Sequence, residues 1–94
     1  MKNMPLSKEL FSTLVVYLIK INIYQRCKHK LFYTRRFLKK HGLNTNDINE
    51  ICAFFQEHGG YCDCEVLLNV IHEIFSNEKE FNEYISKAQA AVNK

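Results

Sequence analysis

The chain has no tryptophan, one proline, three glycines and two methionines among its 94 residues. So few backbone breakers exclude a Pro/Gly-rich linker, a collagen-like repeat or a loop-dominated low-complexity chain. A long hydrophobic run is also missing. The apolar stretch Leu14–Ile19 is interrupted by Lys20, and Asn22 and Gln25 follow. That falls well short of the roughly 20 residues a membrane-crossing helix needs. The same stretch makes a poor signal peptide, because only Lys2 and Lys8 precede it, Glu9 adjoins it and no small-residue cleavage site follows. The expected setting is cytoplasmic, without membrane contact. Gly59-Gly60 lacks the strand, the further glycines and the Lys-Ser/Thr of a phosphate loop.

What is present is globular in character: 47% hydrophobic, 13% aromatic and 24% charged residues. Two cores would need more chain, so residues 1–94 are expected to form one domain, small enough to profit from a metal clamp or a dimer interface. The formal charge of +3 conceals a polarity. Residues 1–41 hold ten Lys or Arg and one acid, Glu9, whereas residues 42–94 hold nine acids and only Lys79, Lys87 and Lys94 as bases. A basic half suits phosphate, an acidic partner, or the domain's own acidic half.

Hydrophobic spacing points to helices throughout. Ser7 is placed to cap a first helix, whose stripe is Leu10, Phe11, Leu14, Val15, Leu18 and Ile21 and whose end falls between Ile23 and Arg26. The β-branched run Val15-Val16 would tolerate a strand, but length and the upstream pattern favour helix. A second helix is expected over Lys30–His41, closed by Lys39, Lys40 and Gly42. A third, capped by Asn44 or Thr45, buries Ile48, Ile51, Cys52, Phe54 and Phe55 and stops at Gly59-Gly60. Asp63 is positioned to cap a fourth helix carrying Val66, Leu67, Val70, Ile71, Ile74 and Phe75. Asn77 and Glu80 have capping-box spacing for a fifth, with Phe81, Tyr84, Ile85, Ala88 and Val92 apolar; residues 76–94 could extend beyond the core. The expected class is all-α, a compact bundle of four or five short helices.

Cys27 with His29, and Cys62 with Cys64, form two tight pairs separated by 32 residues, the length of a helical hairpin whose ends return to each other. Together they make a Cys₃His set for structural Zn²⁺. Helix starts beside them would favour the thiolate form. The single-residue gap within each pair is shorter than that of zinc-finger signatures. The bland alternative makes Cys62 and Cys64 small buried residues and His29 a capping residue. Cys52 belongs to the core, His58 is a substitute ligand or a helix cap, His41 ends a helix and His72 is exposed or locally bonded. For catalysis, Cys62 or Cys64 would need His29 or His58 as base, and no third orienting residue is evident.

Cys27-x-His29, Thr34-x-x-Phe37-Leu38 with Gly42, and the run Gly59-Gly60-Tyr61-Cys62-Asp63-Cys64-Glu65-Val66-Leu67-Leu68-Asn69-Val70 resemble the bacterial family DUF2695 over roughly residues 8–75. The chain departs from that pattern at Phe54-Phe55, where the family has Trp-Leu, a change compatible with a core. The resemblance implies a shared Cys/His site and supplies no activity. The combined reading is a non-enzymatic accessory or protein-interaction domain, with Zn²⁺ held by Cys27, His29, Cys62 and Cys64 and with a homodimer or protein partner. Five Tyr and seven Phe exceed what one small core hides. One rival is nucleic-acid binding through Lys28, Lys30, Arg35, Arg36, Lys39 and Lys40; another is a cysteine-based enzyme or redox-responsive protein.

Overall fold

In the computed structural model, which describes residues 5–92, every regular element is helical. Helix α1 (Lys8–Lys20) starts where Ser7 Oγ accepts the Leu10 N–H at 3.0 Å, the cap expected from sequence. Beyond its C-cap Ile21 lies Asn22, which adopts the left-handed region (φ 56°) that Asn tolerates better than bulkier residues. The chain then re-enters a single turn, α2 (Ile23–Arg26), and buries Ile23 completely. The one long segment read from periodicity is therefore two pieces with a bend between them. Helix α3 (Phe32–Lys40) closes on Gly42 at φ 85°, and α4 (Thr45–Glu57) is capped by Asn44, whose Oδ1 accepts the Asp47 N–H at 2.8 Å.

The next helix is continuous but irregular. A short α5 (Asp63–Glu65) runs into a π-helical turn over Val66–Val70 and then α6 (Ile71–Ile74). Hydrophobic spacing does not reveal a π turn, because the extra residue shifts the buried face only locally. The turn is packed against the Gly-Gly bend: Asn69 Nδ2 donates to the Gly59 carbonyl at 2.8 Å. A Cβ on Gly60 would meet Val70 Cγ2 at 2.7 Å and the Phe55 carbonyl at 3.1 Å. Helix α7 (Glu78–Val92) begins with Asn77 Oδ1 accepting from the Glu80 N–H at 2.8 Å, while Glu80 Oε1 accepts from the Ser76 N–H at 3.0 Å.

Counting α5, the π turn and α6 as one, the described residues form about six helical segments in a body of 31 × 28 × 25 Å. Helix α7 lies along α1 and contributes Ile85 and Ala88 to the shared core; the side chain of Val92 lies outside the described residues. The Lys8 ammonium joins Glu80 across these two helices at 3.1 Å. The core centres on Phe11, which meets Phe55 edge-on at 5.7 Å and Phe75 at 5.9 Å; Phe75 in turn touches Phe81 and Tyr84. Such contacts add to the burial of the rings themselves. No helix among the described residues is long and apolar enough to cross a membrane.

Candidate metal centre

Cys27 caps the C-terminal end of α2, and Cys62 occupies the N-cap position of α5 with extended backbone. Only the second pair thus stands at a helix start; the first follows a helix end and precedes α3 by a short bend. The fold nevertheless brings the segments together. The sulfurs of Cys27, Cys62 and Cys64 all lie within 4.8 Å of one another, with Cys62 Sγ and Cys64 Sγ 3.2 Å apart, and all three thiols are free. Tetrahedral ligands at the usual Zn–S distance sit roughly 3.7 Å apart, so the triad is near the spacing a single ion requires.

Asp63 is what joins the two segments. Sequence reading places it as a cap for its own helix; instead it is fully buried and caps α3. Its Oδ2 accepts the Tyr33 N–H at 3.0 Å and its Oδ1 accepts the Thr34 N–H at 2.8 Å. Its own N–H donates to the Lys30 carbonyl at 3.0 Å. The physical reason is that the N-cap of α3 is Leu31, a residue without a capping side chain, so the first amides of the helix would otherwise lack acceptors. The residue between the two cysteines therefore welds Cys62-Asp63-Cys64 to the segment that follows Cys27.

The thiols differ in their surroundings. Burial pushes the Cys27 thiol toward higher pKa, but the backbone N–H groups of Cys64 and His29 point at its sulfur and, with the Cys64 and Cys62 thiols, bring it below the ordinary thiol range. Burial and the neighbouring Cys64 thiol push Cys62 up to about 12, against the opposing Glu65 N–H. Cys64 is also raised, chiefly by burial. One sulfur is thus favoured as thiolate while its neighbours hold protons, a set that a cation can convert to three anionic donors.

The imidazole of His29 is exposed and is not gathered with the three sulfurs. Its backbone, at φ 60°, is what turns its N–H toward Cys27. His58 sits at the end of α4, stacked on Phe54 at 4.5 Å with Nδ1 3.6 Å from Glu73 Oε2, and is likewise outside the cluster. His41 caps the end of α3 against Phe37, His72 is exposed, and Cys52 is buried in the core.

Fold and site together define a small all-helical domain with a tri-cysteine cluster that can in principle chelate a metal. The chain belongs to the family described as "Protein of unknown function (DUF2695)", whose pattern matches residues 16–69. It is similar to the "Uncharacterized protein Rv2271" of Mycobacterium tuberculosis and the "Uncharacterized protein Mb2294" of Mycobacterium bovis. Each is 37% identical over 46 residues, a stretch covering 49% of this chain and 43% of the relative. The chain therefore matches less than half the length of these relatives. No solved structure matches it.

Proposed function

We propose that the domain is a structural-zinc module in which Cys27, Cys62 and Cys64 hold Zn²⁺ as thiolates and His29 supplies the fourth ligand, the protein serving as a non-enzymatic accessory or protein-interaction unit. The observation that carries this reading is the convergence of three sulfurs from two distant segments within 4.8 Å. An N–H-supported sulfur at Cys27 is the expected environment of a metal thiolate. His29 enters the set by rotating its exposed side chain from a backbone already anchored to Cys27. A closed four-ligand site leaves no open position for substrate, which is why the role is structural. The ion would tie the α2–α3 bend to the start of α5 and so supplement a small hydrophobic core.

Elemental analysis of protein purified without added metal, with affinity measured by chelator competition, tests this. One zinc per chain is expected, lost in Cys62→Ser/Cys64→Ser. His29→Ala should weaken affinity by more than about tenfold, since even outer-shell partners contribute that much, while His58→Ala leaves it unchanged. A fully folded protein that takes up no zinc sinks the proposal; zinc retained undiminished in His29→Ala removes His29 from the ligand set.

A further inference from the structure

Every exposed residue of α3 is either cationic or aromatic: Phe32, Arg35, Arg36, Lys39 and Lys40. At 3.6 residues per turn these five occupy an arc of roughly 140°, while Thr34, Phe37 and Leu38 on the other side are buried. The C-terminal dipole accounts for Lys39 and Lys40. It does not account for Arg35 and Arg36 in mid-helix, which place like charges four residues from Lys39 and Lys40 and so weaken the isolated helix. The Lys8–Glu80 and His58–Glu73 ion pairs both lie away from this face.

Grooves flank the helix on both sides. One, of ≈ 690 Å³, runs between α3 and the start of α4; Leu43 and Ile48 form its floor, and Phe32, Arg35, Arg36 and Lys39 its wall. The other, of ≈ 720 Å³, shares Arg36 and adds Tyr17, Lys20, Lys40 and His41. Among the described residues no carboxyl group lines either one. Phe32 is 42% exposed, and its ring is steadied by the Tyr33 ring packed edge-on at 4.9 Å and by the Lys28 ammonium 4.8 Å from its centroid.

We infer that this face binds single-stranded nucleic acid, with phosphates on Arg35, Arg36, Lys39 and Lys40 and a base lodged beside Phe32 in the first groove. Guanidinium groups grip phosphate oxygens in pairs, and an exposed ring beside a cationic track is how unstacked bases are held without sequence readout. Two open grooves suit splayed bases better than a closed duplex. The inference is independent of the metal centre, because neither groove is lined by a cysteine.

The test is fluorescence anisotropy of the full chain with labelled dT and U 20-mers, all variants being checked for helicity by circular dichroism. Three to four phosphate contacts give a log–log salt slope of about −2 to −3, so affinity should fall roughly 20- to 50-fold between 50 and 200 mM salt. Arg35→Glu/Arg36→Glu should abolish binding, whereas Lys79→Glu/Lys87→Glu on α7, an equal change of charge, should preserve it. Phe32→Ala should weaken binding about tenfold with the slope unchanged. Absence of binding at 50 mM salt overturns the inference, as does equal loss in the α7 variant. Equal affinity for duplex with no effect of Phe32→Ala, or displacement by polyglutamate as effective as by unlabelled dT 20-mer, overturns it in favour of plain electrostatics or an acidic protein partner.

Discussion

Replacing Asp63 with Ala removes both acceptors from the first turn of α3 without touching a sulfur. The Thr34 N–H, in a fully buried residue, loses its 2.8 Å partner, and the half-buried Tyr33 N–H loses its 3.0 Å partner. A lost helix cap costs about 0.5–2 kcal/mol, and a buried donor left unsatisfied about 1–3 kcal/mol. With water able to reach Tyr33 but not Thr34, the sum is roughly 2–4 kcal/mol, a large share of the 5–15 kcal/mol that stabilises a typical domain. For a chain of this size that lowers Tm on the order of 10–25 °C. Asp63→Asn keeps one acceptor and turns an NH₂ toward the other donor, so its loss should be smaller, about 1–2 kcal/mol. Thr34→Val is the matched control, because the Thr34 hydroxyl is buried without a partner while its backbone N–H carries the bond. That variant should be neutral or slightly stabilising. Urea unfolding followed by circular dichroism, in chelator and again with zinc, measures all three. A loss below about 0.5 kcal/mol in Asp63→Ala, the scatter of ordinary surface substitutions, would refute the role assigned to this carboxyl group.

Two further outcomes are expected. Gly60→Ala forces a Cβ to within 2.7 Å of Val70 Cγ2 and 3.1 Å of the Phe55 carbonyl, and should cost about 1–3 kcal/mol by overpacking, read from the urea midpoint. In the metal-free protein the contribution of these two thiols, Cys27 and Cys62, to stability should be greatest near the ordinary thiol pKa. Below it, the depressed Cys27 makes the folded state bind fewer protons than the unfolded, so stability rises with pH. Above it, Cys62 keeps its proton up to about 12, the folded state binds more, and stability falls. Urea midpoints at pH 8.5 and 10.5 check this: the alkaline fall should be shallower in Cys62→Ser, and an equal fall in both proteins would contradict it.

Most of the local structure was legible in the chain. The stripe Phe11–Leu14–Val15–Leu18 marked α1, and Ser7, Asn44, Asn77 and Gly42 marked its own and its neighbours' ends. Caps and periodicity are readable because they act within one turn of helix, between residues close in sequence. The family pattern was legible for the same reason, through its contiguous Gly-Gly-x-Cys-Asp-Cys-Glu run.

What the tertiary structure alone decided is how distant segments meet. Asp63 has the residue type and position of a cap, but which helix it caps depends on a chain segment thirty residues upstream arriving against it with bare amides. The π turn answers to the close approach of Gly59-Gly60, not to its own side-chain pattern. Cys27 joins Cys62 and Cys64 because Asp63 and Lys30 pull the two segments together, whereas His29, two residues from Cys27, faces solvent. Spacing names residues able to share a site. Convergence depends on burial and hydrogen bonding across the fold, where a polar group is satisfied by whatever packs against it rather than by what precedes it in the chain.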